Sequence, residues 1–380
     1  MPRSTSMVGS SGSAEPPAPV APRLPVRRDG RRWRQHPAPA IVIAHRGASG
    51  HRPEHTLASY ALAIEQGADY IEPDLVSTGD GALVARHENE IGGTTDVASH
   101  AAFAGRRTTK RVDGTVVTGW FTEDFTLAEL KTLRAVERIP AIRPSNATFD
   151  GIHEIPTLQE IIDLVRSVRA RGGPAVGIYP ETKLPSYFAS LGLPLEQPLV
   201  ETLHANGFRS REHQVLIQSL EVTNLRELHE MTDLPLIQLV KSRGAPRDLV
   251  IREDRRTYAD LVSPAGLGVV ARYAAGIGPH KDLVIPRTGD DALAAPTHLV
   301  ADAHAAGLAV HPFTFRRENR FLPAEHRIGV DPNGPGDLAG EISAFLAAGI
   351  DGYFTDNPAV RPSPGRPQSD RSGSPAVASR

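Results

Sequence analysis

The sequence predicts an α/β chain folded as a (β/α)8 TIM barrel, and three observations carry that prediction. Short, nearly continuous apolar runs alternate with longer segments whose apolar residues recur at helical spacing, a pattern that belongs to a parallel sheet covered on both faces. Counting the pairs gives eight strand–helix units, which a barrel closes most simply. With 380 residues and 40% hydrophobic content, the chain is long enough for a barrel of about 250 residues with attachments.

In order, IVIAH (41–45) reads as the first strand and HTLASYALAIEQG (55–67) as the first helix, with Leu57, Tyr60, Ala61 and Ile64 on one face before a glycine stop. ADYIEPDL follows as strand two. Helix TLQEIIDLVRSVRA and strand AVGIYPE come next, then helix PLVETLHANG with strand QVLIQSL, and helix LEVTNLRELHEMT with strand PLIQLV. Helix PAGLGVVARYA leads to AAGIGP, helix THLVADAHAAG to LAVHPFTF, and helix DLAGEISAFLAAG to IDGYFTDNP. The stretch from about Glu88 to Pro156 is too long for a single strand-to-helix loop and reads as an insertion after strand two on the barrel rim, where long loops shape or cover a site. Residues 1–39 and 361–380 are rich in Ser, Gly, Pro and Arg and are expected to be a disordered arm and tail flanking a barrel over 40–360.

The formal net charge of −2 provides no global positive field, so a small-molecule partner is expected rather than nucleic acid or an anionic membrane surface. The absence of cysteine excludes disulfides, thiolate nucleophiles and Cys-ligated zinc or iron–sulfur sites. Proline interrupts AEPPAPVAPRLPV throughout, so neither a signal peptide nor an integral membrane segment is expected, and the default location is cytoplasmic.

In a barrel, the residues that end the strands face a common mouth. Strand one ends in His45 and Arg46, strand two carries Glu72 and Asp74 two apart and so on one face, and His87 ends the short run ALVARHE. Strand three ends in Glu181 with Lys183 two further on; strand four offers Gln218, strand seven His311 and strand eight Asp356. Three carboxylates in one mouth repel unless a cation holds them, and Glu72, Asp74 and Glu181 suit one hard divalent ion, calcium or magnesium. The alternative is an ion-pair network with Lys183 and Arg46. His45 and His87 have the side-chain type that accepts and donates protons near neutrality. Arg46 and Lys183 favour an anionic substrate such as a phosphate ester, with Arg46 pairing to Glu54 as the alternative. Tyr179, Phe188, Phe313 and Phe315 are candidates to line a pocket.

The combination AHRGASGHRPEHTLASYALAIEQGADYIEPDL, a Thr-x-Asp-Gly followed by VARHE, and IYPETK resembles the glycerophosphodiester phosphodiesterase family. The resemblance extends over about 41–358, through QSL, GIGP, VHPFTFR and DGYFTDNP, and is closest to the calcium-dependent, periplasmic or secreted branch. It implies a TIM barrel with an inserted subdomain, one divalent ion with calcium favoured over magnesium, metal carboxylates at Glu72, Asp74 and Glu181, acid–base histidines at His45 and His87, and substrate contacts from Arg46 and Lys183. Gln218 and Phe313 complete the expected substrate-binding set. The implied reaction is hydrolysis of a glycerophosphodiester to glycerol 3-phosphate and an alcohol; a phospholipase D-like activity on lysophospholipids and a non-catalytic phosphoester-binding protein are the alternatives. Two departures stand out: Glu88 follows His87 where the family has aspartate, and Pro73 separates two metal ligands.

Overall fold

A computed structural model describes residues 40–362; the arm expected over 1–39 and all but two residues of the expected tail lie outside them. The chain begins with β1 (Ile41–His45), α1 (Leu57–Glu65), β2 (Tyr70–Glu72), β3 (Asp74–Ser77) and β4 (Leu83–Ala85). A long excursion then carries β5 (Thr108–Val112), β6 (Thr115–Gly119) and α2 (Leu127–Leu130). It is followed by α3 (Leu158–Ala170), β7 (Gly177–Ile178), β8 (Glu181–Thr182), α4 (Pro185–Ser190), α5 (Glu196–Ala205), β9 (Ile217–Ser219), α6 (Val222–Met231) and β10 (Leu236–Val240). The remainder is α7 (Arg247–Ile251), α8 (Tyr258–Leu261), α9 (Pro264–Val270), β11 (Gly276–Pro279), α10 (Leu299–Ala305), β12 (Ala309–Val310), α11 (Leu338–Ala347) and β13 (Gly352–Thr355). No helix among the described residues is long and apolar enough to cross a membrane.

The helices start where capping chemistry starts them. Thr157 caps α3 by accepting from the Glu160 amide while the Glu160 carboxylate accepts from Thr157 N–H, and Leu158, Ile161, Ile162 and Val165 then form its buried face.

Parallel neighbours run β13, β1, β2, β7 in one ladder and β12, β11, β10, β9, β8, β3 in the other. These are eight staves, because two of the expected strands are each broken at a proline: strand two divides at Pro73 into β2 and β3, and strand three at Tyr179–Pro180 into β7 and β8. Proline has no N–H to give the ladder. Its carbonyl still serves: Pro73 O accepts from Glu181 N at 2.9 Å, and Pro180 O accepts from Gln218 N at 2.9 Å. The circle closes between the last two staves, where Asp351 N reaches Val310 O at 3.0 Å and Phe354 N reaches Pro312 O at 3.1 Å. The run ALVARHE is not a stave; β4 pairs antiparallel with β3, Leu75 opposite Ala85.

Side-chain alternation separates two apolar regions. Ile43, Tyr179, Leu216, Ile237 and Phe354 fill the inside of the barrel, while Val42, Ala44, Ile71, Leu225 and Leu228 belong to the larger layer between wall and helices. Among the aromatic residues expected to line a pocket, Tyr179, Phe188 and Phe315 are fully buried packing residues; Tyr179 belongs to the inner layer. His311 belongs to the interior rather than the mouth: it is fully buried, its Nδ1 lies 3.1 Å from the Tyr179 hydroxyl, and burial lowers its pKa to about 4.

Leu225→Ala is expected to lower stability by ~2–5 kcal/mol, because the fully buried site leaves a cavity between α6 and the wall. A loss under about 1 kcal/mol in urea unfolding contradicts that packing. His311 yields a pH effect. Between about pH 4 and 6.5 the unfolded chain binds a proton that the folded barrel refuses, so the contribution of its neutral form, ~3 kcal/mol, is complete above 6.5 and declines as pH falls. His311→Asn should therefore show a flatter stability profile over that window, and a profile parallel to the parent's refutes the assignment.

Candidate active site

Strand register gathers the polar side chains. His45 lies beside Glu72 across β1 and β2, Asp74 beside Glu181 across β3 and β8, and Glu181 beside Gln218 of β9. Neighbours in parallel register share a face, so the residues on both sides of the Pro73 break project into one mouth. His87 arrives by a different route. The antiparallel turn from β3 into β4 returns the chain beside Asp74, where Arg86 N donates to Asp74 O at 2.9 Å, and His87 follows at once. The mouth is a cavity of about 650 Å³ whose lining includes all the expected site residues: His45, Arg46, Glu72, Asp74, His87, Glu181, Lys183, Gln218 and Phe313. Phe321 and Phe354 also reach it.

Oxygen atoms of Glu72, Asp74 and Glu181 lie within 4.8 Å of one another, and all three residues are buried. The cluster is expensive as it stands. Burial, Asp74 and Glu181 push the Glu72 carboxyl well above the usual range; burial likewise raises Glu181 to about 7, against the opposing pull of Lys183. Asp74 goes the other way, because Lys183, His87 and His55 together outweigh its burial. Asp74 Oδ1 is buried with no hydrogen-bond partner. Three converging oxygen donors, one of them unsatisfied, fit a hard divalent cation.

The surroundings fix these carboxylates. Arg46 and Gly47 both take left-handed backbone angles, φ 59° and 85°, which turns the chain off β1 and points Arg46 N–H at Glu72 Oε2, 2.8 Å away. A side chain at Gly47 would meet Ser59 at 2.4 Å. Gln218 Nε2 donates to Glu72 Oε1 at 3.2 Å, so the amide supports a carboxylate as well as facing the cavity. Lys183 Nζ lies 2.9 Å from Glu181 and 3.7 Å from Asp74. The Arg46 side chain joins Glu54 at 2.9 Å and approaches Asp74 with Nε at 3.5 Å, so the pairing with Glu54 considered from the sequence is present alongside its place in the mouth. His55 lies behind the mouth: Nε2 is 2.9 Å from Asp74 Oδ2 and Nδ1 is 2.8 Å from the Tyr60 hydroxyl.

Both candidate acid–base histidines are held alike. His45 Nδ1 bonds Asp356 Oδ1 at 2.6 Å, and His87 Nδ1 bonds Glu88 Oε1. A carboxylate on Nδ1 keeps the proton there and leaves Nε2 as the working nitrogen. Burial, then Arg46, lowers the pKa of His45 to about 4 and that of His87 to about 3, so both rings are neutral at pH 7 in the metal-free chain. Residue types alone did not single out Arg138, Arg143 or Arg316. Arg138 binds Glu54 and Glu88, while Arg143 and Arg316 bind Asp356. The partners are 40 to 213 residues apart, and a local pattern contains no signal for such pairs.

Residues 45–360 match the glycerophosphoryl diester phosphodiesterase family. A glycerophosphodiester phosphodiesterase of Arabidopsis thaliana is 38% identical over 327 residues, 83% of this chain and 82% of that protein. One from Haemophilus influenzae is 29% identical, covering 73% and 79%. The fold is shared with an Oleispira antarctica phosphodiesterase solved in complex with the product sn-glycerol-3-phosphate, at 23% identity and a TM-score of 0.54 over 84% of this chain and 94% of that one. On the length of the family match and the identity to the plant protein, the chain belongs to the glycerophosphoryl diester phosphodiesterase family and is a phosphodiester hydrolase.

Proposed function

We propose that the mouth hydrolyses water-soluble glycerophosphodiesters to glycerol 3-phosphate and an alcohol, using His45 and His87 as the acid–base pair and Glu72, Asp74 and Glu181 to hold one divalent cation, calcium in preference to magnesium. The observation that carries the reading is the pair of imidazoles, each with Nδ1 held by a carboxylate, lining the same cavity as the three-carboxylate cluster. The product named for the Oleispira antarctica complex and the names of the relatives support the substrate class.

A bound divalent cation supplies polarisation of a phosphoryl oxygen. The protein's own groups do the rest. Arg46 and Lys183 line the cavity and present positive charge to the phosphodiester. One histidine, as the neutral ring, removes the proton from the attacking hydroxyl, either water or the 2-hydroxyl of the glycerol itself, and the other, carrying a proton on Nε2 beside the anionic phosphodiester, gives that proton to the departing alcohol oxygen. Phe313 and Phe321 supply apolar wall for the carbon skeleton. Val116 and Ile152 are the exposed large apolar residues of the excursion among the described residues, and neither lines the cavity, so we take the soluble diester rather than a lysophospholipid as substrate.

Release of glycerol 3-phosphate from glycerophosphocholine should disappear with EDTA and return more fully with calcium than with magnesium; activity indifferent to chelation overturns the metal assignment. His45→Ala and His87→Ala should each lower kcat by about 10²–10⁴-fold in the calcium-loaded enzyme. Either variant retaining parental kcat removes that histidine from the reaction.

A further inference from the structure

We propose that one short segment of the excursion, Glu137–Asn146, positions both acid–base histidines, with Arg138 acting through Glu88 on His87 and Arg143 acting through Asp356 on His45. The inference rests on the proposed roles of those histidines and adds two positioning residues to them.

The geometry is the same on both sides. Glu88 gives Oε1 to His87 Nδ1 and Oε2 to Arg138 Nη2 at 2.6 Å. Asp356 gives Oδ1 to His45 Nδ1 at 2.6 Å and Oδ2 to Arg143 Nη2 at 2.7 Å, with Arg316 Nε on the same Oδ2 at 2.9 Å. A carboxylate bonded through one oxygen turns about its own axis; held through both, it has one orientation, and so does the imidazole it carries. His87 and Arg138 around Glu88, and Arg316 and Arg143 around Asp356, hold both carboxyls below the usual range, which leaves the shared proton on the ring.

The segment is built to hold these arms still. Asn146 Nδ2 donates to Glu137 Oε2 at 2.9 Å and to Ser49 O at 3.0 Å, and Ile139 N donates to Glu137 Oε1 at 3.0 Å. Arg143 Nη1 donates to Ser49 O at 3.0 Å, while Ser49 Oγ donates to the carbonyl of His45 at 2.8 Å. Arg143 Nε reaches Glu318 at 2.6 Å, so three of its nitrogens are fixed and the side chain is buried. Arg138 is braced by Glu54 through Nε at 2.8 Å and Nη2 at 2.6 Å, and Glu54 in turn holds Arg46. Glu88 is the residue that reaches from His87 to Arg138. Lysine has a single ammonium in place of the guanidinium fork and keeps charge without orientation.

The test combines steady-state kinetics on glycerophosphocholine with ¹⁵N-histidine NMR of the full chain. Arg138→Ala and Arg143→Ala should each lower kcat by about 10- to 100-fold with KM little changed, the size of effect that supporting partners of a working histidine carry. Arg138→Ala should remove the Nδ1–H tautomer signal of His87 and spare His45, and Arg143→Ala should do the reverse in a chain that also carries Arg316→Ala, because Arg316 Nε holds the same Asp356 oxygen. Arg138→Lys and Arg143→Lys should recover part of the loss and serve as the readout where an alanine variant does not fold. Unchanged kcat, or a loss that follows thermal stability while both tautomer signals persist, overturns the proposal. His45→Ala and His87→Ala run beside them: if these remain active, the acid–base reading fails, whereas inactive histidine variants beside fully active arginine variants defeat the positioning proposal alone.

Discussion

Confining three buried carboxylates to one barrel mouth is the constraint around which the rest of this structure is arranged. Like charges a few ångströms apart in a low-dielectric site force one another's protonation upward, and Glu72 and Glu181 show that strain. Every polar neighbour relieves part of it: the Arg46 amide and Gln218 on Glu72, His55 on Asp74, Lys183 on Glu181. Asp74 Oδ1 has the Lys183 ammonium 3.7 Å away but no hydrogen-bond partner, and a cation is a further partner the geometry accommodates. The backbone serves the same end, since the left-handed turn at Arg46 exists to aim an N–H at a carboxylate.

Much of the centre was legible in the sequence because it obeys local rules. A strand's period of two places Glu72 and Asp74 together, and apolar runs ending in His45, Glu181 and Gln218 mark the rim of a parallel barrel. The prolines bent that rule without breaking it: Pro73 divides the second stave, yet both carboxylates still enter one mouth because each half keeps register with its own neighbour. The aromatic expectation mostly failed for a different reason. Phe188 and Phe315 read the same in sequence as Phe313, and only the three-dimensional packing assigns them to the layer behind the wall.

The supporting layer was not legible. Arg138 to Glu54 spans 84 residues, and Arg143 to Asp356 spans 213, so no periodicity connects them. Arginine and glutamate in a long polar segment are ordinarily a solvated surface. Here the low dielectric of the mouth and the forked geometry of guanidinium turn the same residues into struts that tie the excursion to both ends of the barrel. The motif residues thus depend on a stretch whose composition alone gives no hint of that role.

Ring closure has a consequence for when the enzyme becomes an enzyme. His45, Glu72, Asp74 and His87 all lie in the first part of the chain, yet the carboxylate that orients His45 follows the last stave, 311 residues away. A ribosome-bound chain that has finished everything except β13 carries the carboxylate cluster and both imidazoles but lacks the partner that fixes one of them. On the proposed role of His45, full hydrolytic competence arrives with the final strand, and turnover doubles as a readout of whether this barrel has joined its first stave to its last.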